Sequence, residues 1–140
     1  MPVKTVPLRV RMEGQTQLEN ITSSVESAVT ESGLRDGIVV VFAKHTTASV
    51  LIIEDEPGLR ADTTAFWEQL IPADPRWQHN QRNSGEDNAH SHLRGQLQGP
   101  SVTIPFTAGT LSLGTWQQIV LLDFDTTARQ RDLVIKILGE

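Results

Sequence analysis

Apolar and polar residues alternate near the start of the chain: Val6, Leu8, Val10 and Met12 fall between Pro7, Arg9, Arg11 and Glu13. A period of two predicts a strand with one face buried and the other in water. The period then lengthens. Ile21, Val25, Ala28 and Val29 recur at helical spacing, with Thr22 or Ser23 as the cap. Ser23 and Glu26 are spaced as a capping box, and Gly33 offers the left-handed residue that ends a helix. Two continuous β-branched runs follow, residues 38–43 and 48–53, a pattern typical of strands buried on both faces. Glu54, Asp55 and Glu56 close the second run, and Pro57 suits the first turn of a helix. Leu59, Phe66, Trp67, Leu70 and Ile71 supply that helix with an apolar face, and Pro72 ends it.

Residues 73–92 are polar and read as loop, an uncommon length in a compact domain unless it is functional or disordered. A short helical piece is predicted within residues 89–97. The last third reads as strand: residues 101–106, a turn at 107–110, residues 111–113, residues 117–124, a turn at 125–128 and residues 131–138. Helices early and hairpins late predict one α+β domain over residues 1–140, sheet-rich and mostly antiparallel, with two or three helices.

Composition narrows the function classes. A length of 140 residues suffices for a real core without staples. The net charge is −5 and the 12 Lys and Arg are scattered, so a nucleic-acid partner is not expected. A small phosphorylated ligand fits, because one or two well-placed Arg suffice for it. With no Cys, disulfides and thiolate metal sites are excluded. No apolar run approaches the roughly twenty residues of a membrane span. No apolar stretch follows the Lys4 charge as in a signal peptide, and no membrane partner is expected; the lack of Cys fits the cytoplasm, the expected location.

The chemistry is concentrated in the histidines. Three of the four, His79, His90 and His92, sit in one polar stretch beside Glu86, Asp87 and Asn88, which makes residues 77–94 the expected working segment. On a strand His90 and His92 share a face, whereas on a helix they diverge by about 200°, and only one of them joins a common site. The fourth, His45, lies between two apolar runs, where a core histidine bonded to backbone is the plain alternative. The small hydroxyl-rich residues Thr46, Thr47, Ala48 and Ser49 leave room for a ligand beside it. A catalytic zinc takes three protein ligands and keeps one open position, a set that His45, His79 and His92 can supply. Glu54 and Asp55 end a strand and are candidates for a metal ligand or base, while Glu56 is better read as favourable at a helix N-terminus. Asp87 and Asn88 form either a turn or a ligand clamp. Gly114, Thr115, Trp116 and Gln117 read either as a hairpin bend or as a backbone cradle for an anion with the indole and amide facing a ring. Neither a serine-hydrolase elbow nor a phosphate loop is present.

Together these segments resemble the YjbQ-like family, often labelled secondary thiamine-phosphate synthase. The resemblance rests on His45-Thr46-Thr47-Ala48-Ser49, on Ile71-Pro72 followed by His79, on Asp87-Asn88-Ala89 with His92, and on Ser101, Ile104 and Pro105. It continues through the Leu113-Gly114-Thr115-Trp116-Gln117 box to Asp125 and Arg129 with Arg131. It implies an α+β subunit that assembles as a homotrimer, with a histidine-lined pocket able to hold a divalent metal, zinc or magnesium. The implied reaction joins a pyrimidine pyrophosphate to a thiazole phosphate and releases pyrophosphate. The chain departs from the family pattern at Ile53 and Asp55, where Asn is usual, at His90, where an acid is usual, and at Arg94, where Lys is common. Thr127-Ala128 replaces a Gly-Pro.

The expectation is therefore a metal-assisted transferase. His45, His79 and His92 hold the cation, with Glu54 or Asp87 in support, and His45, Glu54, Asp87 and His92 form the catalytic set. Thr46, Thr47, Asn88, Arg94, Gly114, Thr115, Trp116 and Gln117 bind substrate, with Arg82 or Arg129 adding charge. The alternatives are a non-catalytic trimeric protein that binds metal or a small anion, and a metal-assisted hydrolase with Glu54 as base.

Overall fold

A computed structural model describes residues 1–140. Eight strands and four helices follow one another as β1 (Val3–Met12), β2 (Gln17–Asn20), α1 (Thr22–Ser32), β3 (Gly37–Ala43), β4 (Ala48–Glu54), α2 (Pro57–Leu70), α3 (Gln78–Arg82), α4 (Ala89–Gln98), β5 (Ser101–Thr107), β6 (Thr110–Leu111), β7 (Gln117–Asp123) and β8 (Arg129–Gly139). The strands form a five-stranded sheet, β1-β8-β3-β5-β6, and a three-stranded sheet, β2-β7-β4, with every pairing antiparallel. The α+β, antiparallel expectation holds. The helix count rises to four because the polar stretch 73–92 contains α3 and the start of α4.

The two sheets share one core, in which Val39, Val41, Ile135 and Ile137 of the larger meet Val50, Ile119 and Leu121 of the smaller. Val25, Ala28 and Val29 of α1 close the same core. A second cluster lies on the other face of the small sheet, where Trp67 of α2 covers Leu51, Val120, Leu122 and Phe124. Strand β7 is thus buried on both faces. Strand β3 is not: Val39 and Val41 are buried while Ile38 and Phe42 stand 42% and 41% exposed on the outer face of the large sheet. The continuous apolar run predicted burial on both sides, and the single subunit delivers it on one.

Two local expectations need correction. No capping box forms at α1, because the side-chain oxygen of Asn20 accepts the Thr22 N–H at 3.0 Å and Ser23 caps nothing. In α2 only Trp67 of the expected apolar face is buried, and Phe66 and Leu70 face outward. The Trp67 ring meets Phe124 edge-on at 5.0 Å, and Arg60 Nη1 donates to the Leu18 carbonyl at 2.8 Å, so both hold the helix to the small sheet. Gly33 does end α1 in the left-handed region, φ 74°. Glu56 does serve the start of α2, accepting from Gly58 and Leu59 N–H at 2.8 and 2.7 Å.

Candidate functional site

The register of β4 on β7 fixes what can meet. Ala48 pairs with Asp123 at one end and Glu54 with Gln117 at the other. Six residues separate those ends, about 20 Å at ~3.4 Å per residue. At the first end the β3–β4 turn carries His45, Thr46 and Thr47. The β7–β8 turn carries Asp125 and Arg129 to the same place, and Arg131 follows at the start of β8.

A buried polar network joins the two turns. Arg131 donates through Nε to Asp123 Oδ2 at 2.6 Å and through Nη2 to Asp123 Oδ1 at 2.7 Å. Both side chains are essentially solvent-free, at 1% and 0% exposed. Arg131 Nη2 also donates to Thr47 Oγ1 at 2.9 Å, and Thr47 donates onward to Asp125 Oδ2 at 2.9 Å. Asp125 receives in addition the Thr126 N–H, the Asn88 amide and the half-exposed Arg129 guanidinium at 3.1 Å. Burial pushes the Asp125 carboxyl up, but those hydrogen bonds together with Arg129 bring it below the usual Asp range.

Against this network opens a cavity of about 450 Å³ lined by Lys44, His45, Thr46, Thr47, Arg129 and Arg131, with Phe42 and Pro100 on its apolar side. His45 Nε2 accepts the Asp132 backbone N–H at 2.7 Å, so the ring proton sits on Nδ1. Burial, with the Arg131 charge beside it, holds the His45 pKa below its ordinary value and the ring neutral. One His45 nitrogen is thus bonded to backbone, as the plain alternative had it, while the ring also lines a cavity.

The other two proposed ligands meet each other and not His45. His79 on α3 and His92 on α4 meet with ring centroids 4.6 Å apart and planes tilted by 59°, and line a separate cavity of about 330 Å³ with Trp77 and Leu93. His79 Nε2 is buried without a partner. Burial and then the His79 charge lower the His92 pKa. The Arg129 charge also contributes, last among the causes, to lowering the pKa of both His45 and His92. No group of three His, Asp or Glu side chains lies close enough to hold a metal. The expected three-histidine centre is therefore not assembled within one subunit: two imidazoles are together, and the Nε2 of the third is committed to Asp132.

The remaining candidates divide among other places. Asp87 accepts the Thr126 hydroxyl at 2.7 Å and lines a different cavity with His90. Asn88 is buried and belongs to the Asp125 network, with its Oδ1 unpartnered. Arg94 is buried and committed to partners within the chain. Its guanidinium is 3% exposed and clamps the Ile71 carbonyl through Nε and Nη2 at 3.0 and 2.8 Å, and Thr16 Oγ1 through Nη1 at 3.3 Å. It ties α4 to the end of α2, a fork that Lys could not reproduce. Glu54, Thr115 and Trp116 line a cavity at the far end of β4, with Asp55 held there by Arg60 and Asn20. Trp116 is 71% exposed, and Gln117 Oε1 accepts the Gly114 N–H at 2.8 Å, the hairpin-bend geometry. Glu54 and Trp116 therefore share no pocket with His45.

Residue reasoning alone passed over Lys44 and Asp123. The available signal was a pair of aspartates, Asp123 and Asp125, flanking Phe124 at the end of an otherwise apolar strand, where a buried charge must have a partner.

The model of the family described as UPF0047 protein YjbQ-like matches residues 7–140. A UPF0047 protein of Archaeoglobus fulgidus is 40% identical over 131 residues, covering 94% of this chain and 98% of its own. One from Methanothermobacter thermautotrophicus is 36% identical over 140 residues, covering 100% and 95%. Among solved structures, a hypothetical protein from Aeropyrum pernix K1 superposes with TM-score 0.90 at 36% identity, covering 98% of this chain and 99% of that one. A YbjQ-like protein of unknown function from Sulfolobus solfataricus P2 gives 0.89 at 33%, covering 99% and 100%. Sequence, spacing and fold agree over essentially the whole length, and the chain belongs to the YjbQ-like UPF0047 family.

Proposed function

We propose that this protein is a transferase that acts on a small phosphorylated molecule, of the type that joins a pyrimidine pyrophosphate to a thiazole phosphate. The observation that carries the reading is the convergence of Lys44, His45, Thr46 and Arg129 on one cavity beside the Asp123–Arg131–Asp125 network. In such a transfer the C–N bond forms at an unprotonated ring nitrogen while the C–O bond to pyrophosphate breaks and its electron pair leaves with the pyrophosphate. No general base is required. Lys44 and Arg129 stabilise the charge that grows on the leaving group, and Thr46 and the His45 Nδ1–H donate to it. In the separate cavity His79 and His92 would offer zinc or magnesium two ligands, one short of the three that a catalytic zinc takes from the protein, and the roles given to Lys44, Arg129, Thr46 and His45 need no metal. The hydrolase alternative has less support, since its proposed base, Glu54, lies at the other end of β4 from His45.

The reading includes a homotrimer, as the family resemblance implies. Its support is the unpartnered outer face of the large sheet, where Val3, Leu138 and Ile38 lie in one row and Ile38 and Phe42 are exposed. Sedimentation is expected to give three subunit masses, and a monomer throughout would remove this part. The activity is tested by pyrophosphate release from the two substrates. Arg129→Ala and Lys44→Ala should each lower kcat/KM by about tenfold to a hundredfold. Binding of inorganic pyrophosphate without turnover would replace the transferase by the non-catalytic anion-binding alternative, and absence of both would end the reading.

A further inference from the structure

Two arginines line the His45 cavity, and the chain uses them differently. Arg131 is buried and committed to Asp123, whereas the Arg129 side chain stays half exposed. A solvated Arg samples many rotamers, and that freedom is lost when it grips an anion. One contact restricts it beforehand. Asp125 Oδ2 stands 3.1 Å from Arg129 Nη2, and the Asp125 side chain is only 2% exposed.

The carboxylate is itself held from every side. Its Oδ2 accepts the Thr47 hydroxyl at 2.9 Å, and its Oδ1 accepts the Thr126 N–H and the Asn88 amide at 2.8 and 3.2 Å. The backbone of Asp125 is tied as well: its N–H donates to Asp123 Oδ1 at 2.9 Å, and its carbonyl accepts the Gln15 N–H at 2.7 Å. That last donor comes from the β1–β2 turn, where Gly14, Gln15 and Thr16 all lie in the left-handed region, at φ 84°, 60° and 63°. A β-branched residue such as Thr rarely adopts that conformation, so the turn is strained. Strain of this kind persists where the surroundings over-determine it. A mobile cation is thus paired with a group that has no freedom to follow it.

We propose that Asp125 is a positioning residue: it presets the Arg129 guanidinium at the His45 cavity, so that an incoming phosphate group meets a cation already in place. The consequence for binding rests on the reading of that cavity as a phosphate site, whereas the pairing with Arg129 does not. Charge alone predicts the opposite effect. A carboxylate repels an anion, and its removal should tighten binding.

Two measurements on the full-length protein separate the possibilities. The first needs no ligand: NMR relaxation of the arginine Nε–H groups reports how ordered each side chain is. Arg129 should be ordered in the parent and mobile in Asp125→Asn. Equal mobility in both overturns the proposal, and so does a mobile Arg129 in the parent, even if the variant fails to fold. The second is calorimetric titration with inorganic pyrophosphate. Asp125→Asn should weaken binding by about threefold to tenfold, and should weaken it no further once Arg129 is replaced by Ala. Equal weakening in both backgrounds marks a merely structural aspartate, and tighter binding in Asp125→Asn marks simple repulsion; either result overturns the proposal. A parent that binds no pyrophosphate ends the phosphate reading instead, and the relaxation data still decide the pairing.

Discussion

Replacing Arg131 with Met is the sharpest test of how the two turns of the His45 cavity are held. The Met side chain approximates the buried stem, so the cavity left is small and the electrostatic change dominates. The guanidinium makes two short bonds to Asp123, at 2.6 and 2.7 Å, and one to Thr47 Oγ1 at 2.9 Å. Once it is gone, Asp123 stays 0% exposed with only the Asp125 N–H, at 2.9 Å, to solvate its charge. Stranding one member of a buried pair costs about 3–5 kcal/mol. With a urea m-value of about 2 kcal/mol/M, the midpoint should fall by about 2 M. The double variant Asp123→Asn, Arg131→Met removes both charges and should recover about 2 kcal/mol or more, because the penalty lies in the orphaned carboxylate rather than in lost attraction. Urea unfolding followed by far-UV circular dichroism measures all three proteins. A single variant that loses less than about 1 kcal/mol, or a double variant no more stable than the single, refutes the reasoning.

Gly95→Ala should destabilise the protein despite gaining about 1 kcal/mol of helix propensity, because the new Cβ would stand 2.7 Å from the Thr46 carbonyl oxygen. Overpacking of that kind costs about 1–3 kcal/mol, so thermal unfolding should show a lower Tm, and a raised Tm would refute the close approach. Asp125 has a folded pKa below its unfolded value, so the stability it contributes is present above the unfolded pKa of about 3.9 and is lost as pH falls through the folded one. Urea midpoints measured between about pH 5 and pH 3 should fall less steeply in Asp125→Asn than in the parent, and parallel acid limbs would contradict the network.

Much of the fold was legible because burial imposes its period on the sequence. The alternation of Val6, Leu8, Val10 and Met12 became β1, and the unbroken run through Ile119–Leu122 became a strand covered on both sides. Strand β2 was not legible, because Leu18 is its one apolar residue and its place is fixed by backbone pairing with β7. The identical appearance of residues 38–43 and 48–53 hid a difference that lies outside either segment: α2 covers the small sheet, and nothing in the subunit covers the outer face of β3. The candidate site was legible in residue types and not in grouping. His45 and Glu54 are nine positions apart in the chain, yet β4 sends its two ends into different cavities.

Helix α4 explains the histidines. At about 100° per residue, His90 and His92 stand roughly 200° apart, and they line different cavities, as the helical alternative required. Arg94 falls only about 40° from His90, and its charge is the second cause, after burial, of the lowered His90 pKa. Ser91 and Gly95 share the face between them. Ser91 Oγ donates to the Phe124 carbonyl, and Gly95 lies against the Thr46 carbonyl, so this face seats the helix on both turns of the His45 cavity. Gln96 follows His92 on the third face, beside Trp77 and His79. Angle around the axis, rather than position along the chain, decides which cavity each side chain joins. Two histidines separated by one serine therefore line separate cavities, while His79, thirteen positions before His92, shares a cavity with it.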